Sequence, residues 1–371
     1  MKKLFVMAAA VGVALTGCTS DKADVGYTGD AQQKITFSNP VVGAASRAVP
    51  GEINTTRQFP TNQPFIVFAQ WDKTAYNEWG DIQSKLYMEN VVVSHQATPA
   101  TNGAWYPATD YYWPREGVLS FWAASPATEL AGKLSYDPIN LIQIGEVTIA
   151  DNGYTKAQGT TDADVASTQY DLMYAPIVKD QKKSTTTDNN SNYNGVDLAF
   201  KHALSLVKFD IALNEAYTGT TLKIKTISIE GIKNHSAGFS EGPTNPAWQT
   251  PDGSATYEVA NYSIGKQLAD SPAIDVYEDS DIKGKRLILM PQKIADDIAT
   301  KIVITYSMKS ETGVEFDQTV ETKLYNAGLT KWEPGKAYTY HLKLALDKIY
   351  FDPVVEDWAV GKEQDIIVPQ A

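Results

Sequence analysis

Cysteine is all but absent. Cys18 is the only one in 371 residues, so neither an intramolecular disulfide nor a cysteine-based metal site is open to this chain. Histidine is scarce. His95, His202, His235 and His341 are far apart, and none sits in an HExxH or HxH spacing. There is no Gly-rich phosphate loop. Positive charge is in deficit, with 32 Lys and Arg against 44 Asp and Glu. The net charge of −12 argues against nucleic acid and anionic lipid as partners. No segment sustains an i, i+3, i+4, i+7 apolar period, so helix is minor. Asp275, Glu278, Asp279 and Asp281 lack calcium-loop spacing and read as a solvated loop. Asp162, Asp164 and Asp171 read the same way. These absences leave no metal, no cofactor and no polar constellation able to carry a reaction. The expectation is a protein that is not an enzyme.

What is present begins at the N-terminus. Met1-Lys2-Lys3 is a basic start, and Leu4 to Leu15 is an apolar run. The run is too short to span a bilayer as a stable helix and fits a secretory signal. It ends in Leu15-Thr16-Gly17-Cys18, a lipobox, in which small residues precede the cut and the thiol takes the lipid. Residues 1–17 are therefore read as a lipoprotein signal peptide, with Cys18 as the lipidation site. Thr19-Ser20-Asp21 suggests export to the cell surface, and Asp21 to Gln33 reads as a polar tether. No other apolar stretch is long enough to hold a membrane.

The rest divides into short apolar runs separated by Gly, Pro, Asn and Asp, the pattern of a β-sandwich. Residues 48–190 are expected to form a first domain. Its strands are Phe65 to Ala69, Val91 to Val93, Val118 to Ala123, Leu141 to Ile144, Val147 to Ile149, and Asp171 to Ala175, the last ended by Pro176. Lys179 to Gly195 is polar and reads as an exposed loop near the boundary. Residues 191–371 alternate more cleanly. Val207, Phe209, Ile211 and Leu213 share a face, as do Ile302, Ile304, Tyr306 and Met308. Tyr338, Tyr340, Leu342, Leu344 and Leu346 share another. Val314, Phe316, Val320 and Leu324 are expected to point inward. In Leu222 to Ile229 the apolar parity switches after Ile224, which predicts a bulge.

Two stretches carry functional alternatives. In Lys34 to Arg47, Ile35 and Phe37 alternate with polar residues as in a half-buried strand, and Asn39-Pro40 breaks the pattern. Small residues and a lone Arg47 follow. Either this is an ordinary first strand with a linker, or residues 18–47 are a lipidated tether and a strand that cleavage at Arg47 would release. Arg57 is a second candidate, disfavoured by Gln58-Phe59-Pro60. The other stretch is the aromatic group Trp105, Tyr106, Tyr111, Tyr112, Trp113, Phe121 and Trp122. Exposed rings of this kind stack on sugars, whereas rings next to Leu119 in a strand pack into a core.

Several pieces together resemble the fimbrillin family, the lipoprotein pilins of type V pili in Gram-negative gut and oral anaerobes. They are Lys34-Ile35-Thr36-Phe37, Ser46-Arg47-Ala48, Phe65 to Ala69, Tyr112-Trp113-Pro114 and Leu119 to Pro126. Leu198 to Phe209, Leu289 to Gln292, Tyr338-Thr339-Tyr340 and Ile349 to Trp358 continue the order. The resemblance implies two tandem transthyretin-like β-sandwich domains in an all-β fold. It also implies that a trypsin-like surface protease cuts after Arg47, releasing lipid and pro-strand together. The emptied groove would then accept a strand from another pilin subunit. The donor in the family is C-terminal, here Ile366, Ile367 and Val368 within Asp365 to Pro369; the alternative is a last strand packed on its own domain. The expected role is a structural subunit of an adhesive fimbrium, polymerised with like or unlike subunits. Its precursor would be held at the outer membrane by lipid. Alternatives are the tip or anchor subunit of such a pilus, or a lipid-anchored surface protein with a host or glycan receptor.

Overall fold

The computed structural model describes residues 33–43, 59–76, 84–97, 104–137, 141–150, 154–155, 166–167, 170–183, 194–240, 246–268, 273–276, 287–346 and 348–358. In chain order the first strands are β1 (Val41–Val42), β2 (Phe65–Asp72), β3 (Lys85–His95), β4 (Trp105–Pro107), β5 (Val118–Ser125) and β6 (Leu134–Asp137). Then come β7 (Leu141–Ile144), β8 (Val147–Thr148), β9 (Tyr154–Thr155), β10 (Ala166–Ser167), β11 (Met173–Gln181) and β12 (Ala199–His202). The second half holds β13 (Ser205–Leu213), β14 (Thr220–Ile232), β15 (His235–Ser236), β16 (Phe239–Ser240), β17 (Ala247–Trp248) and β18 (Ala255–Gln267). It ends with β19 (Ile274–Asp275), β20 (Leu287–Leu289), β21 (Lys301–Ser310), β22 (Glu315–Lys323), β23 (Lys336–Leu344) and β24 (Ile349–Asp357). The only α-helix among the described residues is a single turn, Ala127–Leu130. The fold is all-β.

The first sheet runs β1-β12-β11-β5-β2-β3-β4. Its central strands are buried on both faces, as every residue of β5 shows. Phe65, Val67, Ala69, Phe121 and Ala123 point into one core. Ile66, Phe68, Trp122 and Ala124 point into the other, which continues through the second half of the chain. That is why β2 and β5 read as unbroken apolar runs rather than alternating ones. The back of this sheet is covered by a small sheet, β17-β16-β7-β6, drawn from both halves of the sequence. Phe239 of β16 packs against Tyr174 with ring centroids 5.0 Å apart.

The second half forms a sandwich of two sheets. One is β19-β13-β23-β24, with β20 also paired to β13; the other is β18-β14-β21-β22. Val207, Phe209, Ile211, Ile224, Ile227, Ile304, Tyr306, Tyr340 and Leu342 fill the space between them. The bulge expected after Ile224 is there: register shifts between Ile224 and Thr226 against both neighbouring strands.

Some expectations change. The strand expected to stop at Pro176 continues to Gln181, taking in the start of the expected 179–195 loop. Register irregularities on either side of Val178 absorb a proline that cannot donate to a ladder. Val314 and Phe316 are exposed. β22 is an edge strand, and at its start Phe316, opposite Met308, stays exposed although Val320 further along is buried. Leu346 is also exposed, lying beyond the end of β23. The division drawn at 190/191 is followed by Val196, Leu198 and Phe200, which belong to the first core. The chain passes into the second sandwich only at Ala203 to Ser205.

Where β15 pairs with β8, His235 bridges the halves. Its ring faces Asp252 and lies 3.2 Å from Glu146. The Asp252 carboxylate raises the imidazole above its ordinary 6.5. A group whose folded pKa is raised gives stability that is complete below the unfolded value and is lost as pH rises through the folded one. The wild type should therefore lose more thermal stability than His235→Asn between pH 6 and the mildly alkaline range. Parallel melting curves for the two proteins would refute this.

Candidate functional site

The distinctive feature is how the first sheet closes. Without β1 the sheet runs from β12 to β4, and one short segment, Gln33 to Gly43, which contains β1, pairs along the β12 side and along the β4 side. On one side Ile35 N–H donates to Tyr111 carbonyl at 2.7 Å, Phe37 N–H to Trp105 carbonyl at 2.9 Å, and Trp113 N–H to Gln33 carbonyl at 3.1 Å. On the other, Ser38 N–H donates to Val196 carbonyl at 3.1 Å and Val196 N–H to Thr36 carbonyl at 2.8 Å. Val41 and Val42 then run parallel to Ala199 and Phe200 as β1. The break expected at Asn39-Pro40 is only a kink, and pairing extends to Gly43, whose N–H reaches Phe200 carbonyl at 2.9 Å.

The segment's side chains are as engaged as its backbone. Ile35, Thr36 and Phe37 are all buried, with Phe37 at 0 % exposure. Three consecutive buried residues place both faces of the strand in contact with protein. The Phe37 ring stands edge-on to Phe65 and Phe121, with centroids 5.8 and 5.7 Å away. Burial of a side chain of this size is worth about 1.5–3 kcal/mol. At the rim Lys34 pairs with Asp110 at 2.7 Å; both are exposed, so the pair contributes little.

Gly195 makes room for this segment. It has φ +100, and a Cβ there would lie 2.5 Å from the Phe37 carbonyl carbon and 2.6 Å from Ser38 N. Nothing in the local sequence, a polar run read as loop, marks Gly195 as part of the site. The alternation of Val196, Leu198 and Phe200 was the available signal. Phe59 was missed too. It packs on Phe65, Trp105 and Phe200, and its N–H donates to Pro40 carbonyl at 3.0 Å. Chain leaving the groove at Gly43 and chain returning at Phe59 therefore meet.

Of the expected site residues, Ile35 and Phe37 are brought together with both sheet edges. Cys18, Arg47, Arg57, Ile366, Ile367 and Val368 lie outside the described residues. In the aromatic group, Trp105, Trp113, Phe121 and Trp122 are buried, and Tyr106, Tyr111 and Tyr112 are half-buried. The structure assigns the tryptophans to the core, not to an exposed stacking platform. Among the described residues no group of three or more His, Cys, Asp or Glu is placed to hold a metal ion.

Phe37→Ala should cost about 3–5 kcal/mol, as expected for a fully buried aromatic, read from chemical denaturation. Gly195→Ala should cost about 2 kcal/mol or more through backbone strain and the clash with Phe37. Because both act on one strand, the double variant should lose less than the sum. Strict additivity would show that the two do not share a site.

The family model described as Fimbrillin-like matches residues 46–358. Among solved structures, a fimbrial protein from Bacteroides vulgatus superposes with TM-score 0.57 at 17% identity, over 88% of this chain and 100% of that one. A putative cell adhesion protein from Bacteroides ovatus gives TM-score 0.44 at 13% identity, over 89% and 99%. One from Bacteroides uniformis gives 0.41 at 17%, over 88% and 99%. No curated protein matches the chain. The family match takes in both halves of the fold, from the residues just after the closing segment to the end of β24, and on that ground the chain belongs to the fimbrillin-like family.

Proposed function

We propose that this protein is the precursor of a structural pilus subunit, exported as a lipoprotein on Cys18 and displayed at the cell surface. Its closing strand, Lys34 to Gly43, is removed by cleavage after Arg47. A strand from another subunit then takes its place, and repetition builds an adhesive fimbrium. The observation that carries this is the double pairing of the segment. It belongs to neither edge by chain continuity, is buried at Ile35, Thr36 and Phe37, and is held to the body chiefly by main-chain bonds and packing.

Such a segment is suited to replacement. Main-chain bonds are indifferent to sequence, so any extended strand with suitable side chains can satisfy the same edges. Until then the pro-strand covers edges that would otherwise seed aggregation. The donor Ile366-Ile367-Val368 offers three consecutive apolar residues for a slot whose present occupant buries three in a row. A cut after Arg47 leaves the body intact, because the returning chain is fixed at Phe59. A cut after Arg57 would leave a single residue ahead of Phe59, which favours Arg47. Outer-membrane attachment by lipid, a trypsin-like surface protease and other pilin subunits are the partners this reading requires. A lipid-anchored glycan binder is disfavoured because the tryptophans that suggested it are buried.

Arg47→Ala should give a folded, monomeric precursor. Deletion of residues 365–371 should give a subunit that is cleaved and accepts a strand but donates none. Mixed after protease treatment, the two should form short oligomers by size-exclusion chromatography and electron microscopy. Long polymers from either variant alone would refute strand exchange as the mode of assembly.

A further inference from the structure

The strand that walls the groove is also where the end of the described chain is fastened. β12 has four residues. Ala199 and Phe200 pair with Val41 and Val42 of the closing segment. Two residues on, the His202 ring is buried, with Nδ1 2.9 Å from the Asp171 carboxylate. Its Nε2 is buried without a hydrogen-bond partner. Asp171, expected in a solvated loop, is instead wholly buried, because His202 gives its carboxylate a partner. The face of the His202 ring stacks on Trp358 at 3.7 Å between centroids and 4° between planes. Trp358 is the residue just past β24. Its N–H donates to Gly335 carbonyl at 2.9 Å, and Gly335 N–H donates to Leu204 carbonyl at 2.9 Å. Ring and backbone of Trp358 are thus both tied to the 202–204 stretch that leaves β12.

We propose that β12 couples the two ends of the molecule: filling of the groove by Val41 to Gly43 and docking of Trp358 on His202 stabilise each other. The route is short. Phe200 and His202 lie on the same side of β12, one repeat apart. β12 is only four residues long, and apart from the closing segment its register is held by β11, which pairs Met173 with His202 and Tyr174 with Lys201. When Val41 to Gly43 leave, the Leu198 to Phe200 stretch loses its partner along one edge, and the imidazole two residues on loses the fixed position that keeps it flat against the indole. Conversely, undocking Trp358 frees the far end of β12 and loosens the groove wall. The consequence for assembly rests on the exchange reading above. Emptying the groove would slacken the point from which residues 359–371 depart, and refilling it would fasten that point again.

Native-state hydrogen exchange of the full chain tests the coupling. Trp358→Ala should speed exchange at the Val41 and Gly43 amides by about tenfold, within the usual range of coupling between sites. Val42→Ala should speed exchange at the Trp358 amide by a similar factor, because coupling is reciprocal. Trp358→Phe, which keeps a stacked ring, should change the groove amides little. The amides of β14 and β21 should be unaffected throughout. If Trp358→Ala fails to fold, His202→Gln removes the stacked ring while leaving Asp171 an amide donor, and is read in the same way. Remote amides unchanged within about twofold would overturn the proposal. So would acceleration of all amides together, β14 and β21 included, which is plain destabilisation. Strand exchange itself is not touched by this measurement, so either idea can fail while the other stands.

Discussion

The pairing of one short segment with both edges of the first sheet is the constraint on which the rest depends. Without Lys34 to Gly43, the edge around Trp105 and Tyr111 and the edge at Val196 to Phe200 would each expose unpaired backbone. The space between Phe65 and Phe121 would also lose its central ring. Every other element of the first core is arranged around that gap. Phe59, Trp105 and Phe200 surround it, and Gly195 gives up its side chain so that the backbone can pass. A β-sheet can use so marginal a closing strand because the ladder energy is spread over many modest bonds, each worth about 0.5–1.5 kcal/mol net. The strand is firm while all are made, and no single one of them fixes it.

The second constraint is that the two halves share one core. β2 and β5 present a second apolar face, and β6, β7, β16 and β17 cover it with strands from both halves. The first sheet is thereby fixed on its back while its front carries the closing strand. Under the proposed function, a subunit built this way would keep the scaffold of its groove when the closing segment leaves. His202 and Trp358 extend the same logic to the end of β24, placing the departure of the C-terminal residues next to the groove wall rather than at the far end of the second sandwich.

Much of the second half was legible because its strands alternate. Phe209, Ile211, Tyr340 and Leu342 could be placed by parity alone, and the parity break at Ile224 marked its bulge. Parity failed at Phe316, because pattern tells which way a residue points and not whether another layer is there to meet it. In the first half, the doubly buried β2 and β5 were recognisable as continuous apolar runs, and Ile35 and Phe37 as one strand face. The closure itself was not legible. The pairing of Val41 and Val42 with Ala199 and Phe200 spans more than 150 residues, and a parallel contact of that range leaves no local trace. Gly195 looked like any loop glycine because its reason, the backbone of Phe37, lies equally far away in sequence.

The central claim is that the closing strand is present in the precursor and absent from the assembled protein. The most direct measurement is the N-terminal sequence, with intact mass, of the protein sheared from the cell surface in polymeric form. The account predicts a chain that begins at Ala48 and carries no lipid. A polymer whose subunits still begin at acylated Cys18 and retain Lys34 to Arg47 would contradict it.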